Sequence, residues 1–77
     1  MRYQRETLRH VITRALKRNT FTAPEPIEVE IKDGAVWLHG TVSKDDLIAE
    51  AVATVEATVP QMYVYSRLRV RRSSVGA

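Results

Sequence analysis

Residues 27–42, IEVEIKDGAVWLHGTV, constrain the fold more than any other stretch of this 77-residue chain. Apolar and polar residues alternate, break at Asp33-Gly34, and alternate again. Alternation with period two marks a strand with one buried face. Asp-Gly supplies the two positive-φ positions of a type I′ turn between antiparallel strands. That loop predicts a register with Lys32 opposite Ala35, Ile31 opposite Val36, Glu30 opposite Trp37 and Val29 opposite Leu38. Ile27, Val29 and Ile31 then share a side with Val36, Leu38, Gly40 and Val42. A slip of one residue would turn the whole set to water. An isolated hairpin is marginal, so the rest of the chain must cover it.

The flanking sequence supplies the cover. In residues 4–18, Leu8, Val11, Ile12, Ala15 and Leu16 fall on the stripe of a helix with one buried face, and Asn19 can end it. The stretch TFTAPEP, with prolines at 24 and 26, reads as a loop with Phe21 as its anchor into the core. Ser43 followed by Asp46 resembles a capping box ahead of a second helix. Leu47, Ile48, Ala51, Val52 and Val55 form that helix's buried stripe, and Pro60 stops it. A third alternating run follows, with Val64, Ser66, Leu68 and Val70 on one face and Tyr63, Tyr65, Arg67, Arg69 and Arg71 on the other. The expectation is an α+β fold of order α-β-β-α-β, two helices packed on one face of a three-stranded sheet. Residues 1–72 form one domain and residues 73–77 a flexible tail. The last strand has two places to go, beside the second strand or beside the first. The acids Glu28 and Glu30 facing Arg67 and Arg69 incline it to the first.

A chain this short buries a limited core, and with no cysteine it has no disulfide or thiolate metal site to reinforce it. No apolar run approaches the roughly 20 residues of a membrane span. The N-terminus MRYQRETLRH has no apolar leader segment, so the chain as written is expected in the cytoplasm. A protein trimmed of its leader would look the same and would be periplasmic or envelope-associated. The net charge of +3 is unevenly spread. Residues 1–20 carry +5 and residues 60–77 carry +4, while residues 21–43 and 44–59 each carry −3. Neighbouring elements of opposite sign can neutralise each other, or the basic ends can meet an anionic partner.

The hairpin, the Ala- and Val-rich helix and the run VYSRLRV together resemble the BON domain, a family named after bacterial osmotic-shock and nodulation proteins. The family pattern I-x-V-x-V-x-D-G-x-V-x-L-x-G-x-V is met by Ile27, Val29, Asp33, Gly34, Val36, Leu38, Gly40 and Val42, with Ile31 for a valine. Val64, Leu68 and Val70 fit its final strand. Ser66 stands where the family usually has Asn, and residues 60–62, PQM, replace its usual Gly-Val. The resemblance implies a non-catalytic module of envelope and stress-response proteins, suggested to bind phospholipid or envelope surfaces. It carries over no catalytic, metal or cofactor residue.

The residues themselves show no catalytic constellation. His10 lies on the first helix with Glu6 four residues earlier, which makes two candidate ligands and no metal site. His39 faces Glu28 in the expected register, a cross-strand pair. Phosphate-loop, nucleophile-elbow and HExxH motifs are missing from the sequence. Three binding readings follow, and no cofactor is expected. The first is peripheral association with an anionic lipid or envelope surface through Arg9, Arg14, Lys17, Arg18, Arg71 and Arg72. The second is a protein interface or homo-oligomer on the uncovered sheet face, using Trp37, His39, Tyr63, Tyr65, Arg67 and Arg69. The third is single-stranded nucleic acid stacking on that same face, which Glu28 and Glu30 oppose. The plainer accounts are a solvated basic helix partly paired with the acidic second helix, and exposed strands that favour aromatics.

Overall fold

The computed structural model describes the backbone of residues 5–71 and the side chains from residue 7 onward. The elements are α1 (Arg5–Arg18), β1 (Ile27–Lys32), β2 (Ala35–Val42), α2 (Asp46–Thr58) and β3 (Tyr63–Val70). This is the α-β-β-α-β order read from the sequence. The hairpin has the register its turn dictates, from Lys32 opposite Ala35 to Ile27 opposite Gly40. Asp33 and Gly34 have φ of 53° and 74°, both in the left-handed region that a type I′ turn requires.

The sheet order is β1-β2-β3, with β3 parallel to β2. The charge complementarity of Glu28 and Glu30 with Arg67 and Arg69 pointed to the other edge, and this is a correction. Two forces outweigh it. A parallel neighbour needs a crossover of about a dozen residues or more, and α2 is that crossover for β2 and β3. The chosen register also sets Trp37 beside Tyr65, with ring centroids 4.7 Å apart. Such a contact outweighs the attraction of solvent-exposed charges.

One core joins all five elements. Ile12 and Leu16 come from α1 and Ala51 and Val55 from α2, meeting Val29, Val36, Leu38, Val42, Val59 and Leu68. Within α1, Val11 departs from expectation and is 42% exposed. Its spacing explains this: residues 7, 11, 14 and 18 form one stripe, and Thr7, Arg14 and Arg18 are exposed along it. In β3 only Leu68 is buried among the four residues expected to face inward, and Ser66 and Val70 are exposed. As an edge strand, β3 receives less cover. The Leu68 N–H there donates to the Ser66 hydroxyl at 3.2 Å, which answers an edge group locally.

Two expectations about loops are overturned. Phe21 is no core anchor; it is 66% exposed, and its neighbour Thr22 is buried instead. The chain turns tightly after α1, with Thr22 and Ala23 N–H groups both donating to the Asn19 carbonyl. Thr22 is thereby turned inward, where its hydroxyl donates to the Leu16 carbonyl at 2.6 Å. A helix C-terminus leaves such carbonyls without partners, so burying Thr22 satisfies two needs together. Ser43 does not cap α2 either. The cap position is Asp45, whose side chain makes no capping bond. The first turn is closed by short-range backbone bonds, Leu47 N–H to Lys44 and Ile48 N–H to Asp45. Ser43 donates its N–H and its hydroxyl to Glu25, at 2.9 and 3.0 Å.

Glu25 is only 7% exposed, and a carboxylate so placed must be paired with donors. It ties the loop before β1 to the loop after β2. Glu25→Ala is expected to cost about 1.5–3 kcal/mol, the range for hydrogen bonds to a charged group. Urea unfolding followed by circular dichroism measures it. A loss below about 0.5 kcal/mol, as at an ordinary surface position, would show that the tie contributes little.

Candidate functional site

Two surfaces remain after the core is assembled. The first is the outer face of the sheet. Because β1 and β3 flank β2, the face is built in rows. Trp37 has Glu30 on one side and Tyr65 on the other; His39 has Glu28 and Arg67; Ala35 has Lys32 and Tyr63. The structure thus brings together most of the residues expected there. Trp37 and Tyr65 are tilted by 30° at 4.7 Å, and Tyr63 stacks on Tyr65 at 6.4 Å. The Arg67 guanidinium carbon lies 5.3 Å from the Trp37 ring centroid, within cation–π range. Ala35, in the row of Lys32 and Tyr63, is only 5% exposed.

His39 does not pair with Glu28 as its register position suggested. Its Nε2 lies 2.8 Å from Oε1 of Glu30, the diagonal neighbour. Diagonal partners on a sheet are within reach of long side chains, and Glu28 has no side-chain partner among the described residues. Glu28, Glu30 and Lys32 therefore line the β1 side of this face, and Tyr63, Tyr65, Arg67 and Arg69 the β3 side, with Trp37 and His39 between.

The second surface is the solvent side of α1 with the loop that follows it. Arg9, Arg14, Lys17 and Arg18 are all exposed. Arg14 and Arg18 share the stripe that carries Val11, and Lys17 donates to the Ala23 carbonyl at 3.2 Å across the turn. The expected pairing with α2 is absent among the described residues. Glu50 of α2 accepts from the Asn19 amide at 2.8 Å. Asn19 also donates to Thr54 and holds the Phe21 N–H, so one side chain fixes the end of α1 to α2 and orients the loop. Phe21 stands at that end, over a shallow cleft of about 460 Å³ lined in part by Lys44 and Leu47.

The remaining basic residues lie elsewhere. Arg9 lines a wide groove between α1 and β1, together with His10 and Glu28. Arg71 continues the β3 ladder, its N–H donating to Val42, so it sits at the far edge of the sheet from α1. Arg72 and the tail at 73–77 lie outside the described residues, as do the side chains of Arg5 and Glu6. Among the described residues, no group of three or more His, Cys, Asp or Glu side chains is placed to hold a metal, and His39 hydrogen-bonds to Glu30 alone. No helix is long and apolar enough to cross a membrane among those residues.

A search among curated proteins returns no match. The family model for the BON domain matches residues 4–72, which takes in both helices and all three strands described above. That span covers nearly the whole chain, and the chain belongs to the BON domain family, a family of non-enzymatic binding modules.

Proposed function

We propose that this domain is a peripheral module that docks on anionic lipid or envelope surfaces through the C-terminal half of α1 and the Phe21 loop. The observation that supports this reading most is the pairing of two features at one end of the molecule. Arg14, Lys17 and Arg18 are exposed along the last turns of α1, and the loop they lead into carries an aromatic side chain 66% exposed. Leaving a phenylalanine in water costs stability that a core position would have returned. Aromatic rings flanked by basic residues suit the headgroup region, where the ring enters and the cations meet phosphate. Each lysine or arginine near an anionic surface contributes about 1 kcal/mol, so three basic groups and one ring give reversible attachment. The apolar stripe of α1 stays in the core throughout, and the helix itself need not insert.

The variants that test this are Arg14→Glu with Arg18→Glu, and Phe21→Ser. All three positions are exposed, so folding should survive, as circular dichroism checks. The double reversal is expected to abolish sedimentation with phosphatidylglycerol vesicles. Phe21→Ser is expected to weaken it about tenfold, the loss of one interfacial ring. Unchanged sedimentation of both variants would place the contact elsewhere.

A further inference from the structure

The outer sheet face carries both signs of charge, with two acids and Lys32 on the β1 side and arginines on the β3 side. Glu28, Glu30 and Lys32 lie on β1, Tyr63, Tyr65, Arg67 and Arg69 lie on β3, and Trp37 stands between them on β2. A partner of a single sign would meet attraction at some of these groups and repulsion at others. The same objection applies to nucleic acid, whose phosphates would pass over two carboxylates beside the aromatic ridge. We infer that this face pairs with a second copy of the same chain.

The argument is one of symmetry. A two-fold interface brings each patch against its counterpart, so residue i meets j while j meets i. When the two-fold axis runs along β2, β1 of one copy lies over β3 of the other with the rows kept. Glu28 shares a row with Arg67, and Glu30 shares a row with Tyr65. The dimer therefore sets each Glu28 against the Arg67 of its mate, twice over, and each Glu30 against a tyrosine hydroxyl. Trp37 meets its own counterpart at the axis. Sheets stack face to face about 10 Å apart with strands within about 30° of alignment, which leaves room for the two aromatic ridges to interleave. The face is three strands wide and about four rows long, roughly 15 Å by 25 Å at ordinary strand spacing. That is below the footprint of a standard interface, so the dimer is weak and forms at tens to hundreds of micromolar protein.

Sedimentation velocity of the full chain across that concentration range tests the inference, with Glu28→Arg, Arg67→Glu and the double variant alongside. Both positions are exposed, and circular dichroism confirms that each variant folds. The wild type is expected to shift from monomer to dimer. Each single reversal sets like charges together and weakens the dimer at least tenfold, and the double variant recovers most of that loss. A wild type that stays monomeric throughout overturns the inference. So does a dimer indifferent to both reversals, because it would use another surface. A monomer whose Trp37 fluorescence is quenched by a single-stranded oligonucleotide also overturns it, in favour of a stacking platform.

Discussion

Gly40→Ala is expected to lower the melting temperature by about 15 °C, since each kcal/mol moves the transition of a domain this size by about 4–8 °C. Gly40 has a φ of 119°, a conformation that residues with a Cβ rarely adopt. It also sits directly beside the start of β1, where Ile27 is its register partner. A Cβ built there would lie 2.2 Å from the Pro26 carbonyl oxygen and 3.5 Å from the Ile27 Cα. The obstacle is backbone, so no side-chain rotation relieves it. Strained φ contributes about 1–3 kcal/mol and forced displacement of packed atoms a similar amount. Gly34 is the internal control. Its φ of 74° also favours glycine, but nothing lies within 4 Å of the added Cβ. Asn tolerates that conformation, so Gly34→Asn is expected to cost less than about 1 kcal/mol. Thermal melts of the two variants separate the effects. A Gly40→Ala melt within about 4 °C of wild type would mean that the backbone at Pro26 yields easily.

Leu38→Ala is expected to remove about 2–5 kcal/mol. Leu38 is fully buried at the middle of the central strand, with Val29 across the hairpin and β3 on its other side. Both helices close over this face, so no single neighbour can collapse into the space a leucine leaves. The consequence is large because the chain is small. A domain of this length has about 4–12 kcal/mol of total stability, and one cavity takes a large share of it. The denaturation midpoint in urea should fall while the slope stays constant. A loss under about 1 kcal/mol would show that the core relaxes far more than close packing permits.

The hairpin was legible because two independent signals agree there. The alternation of Ile27, Val29 and Ile31 with Val36 and Leu38 demands one register, and Asp33-Gly34 imposes the same one. The helices were legible from their stripes. The order of the strands was not, because surface charge is a weak guide. Glu28 and Arg67 share a row but stand on opposite edges of the sheet. The loops were read poorly for a related reason. Phe21 and Thr22 are adjacent, and hydrophobicity alone places the phenylalanine inside. The turn around Asn19 decides otherwise, through backbone bonds that carry no periodic signal in sequence. Glu25 and Ser43 likewise meet across 18 positions, where a local capping pattern offered the nearer explanation.

The candidate surfaces were legible in part. Sequence parity placed Trp37, Tyr63, Tyr65 and Arg67 on one face, and the structure stacks them together. It divides the basic residues that charge counting had grouped. Arg14, Lys17 and Arg18 stay together on α1, while Arg9 faces the β1 groove and Arg71 the far edge of the sheet. Phe21, expected in the core, is exposed, and with those three residues it defines the end proposed to meet a membrane.

Co-sedimentation of the wild-type chain with vesicles tests that proposal most directly, comparing phosphatidylglycerol with phosphatidylcholine at low and at physiological salt. The account predicts binding to the anionic vesicles alone, weakening as salt screens the basic residues. Equal binding to both lipids, or no binding to phosphatidylglycerol at low salt, would contradict it.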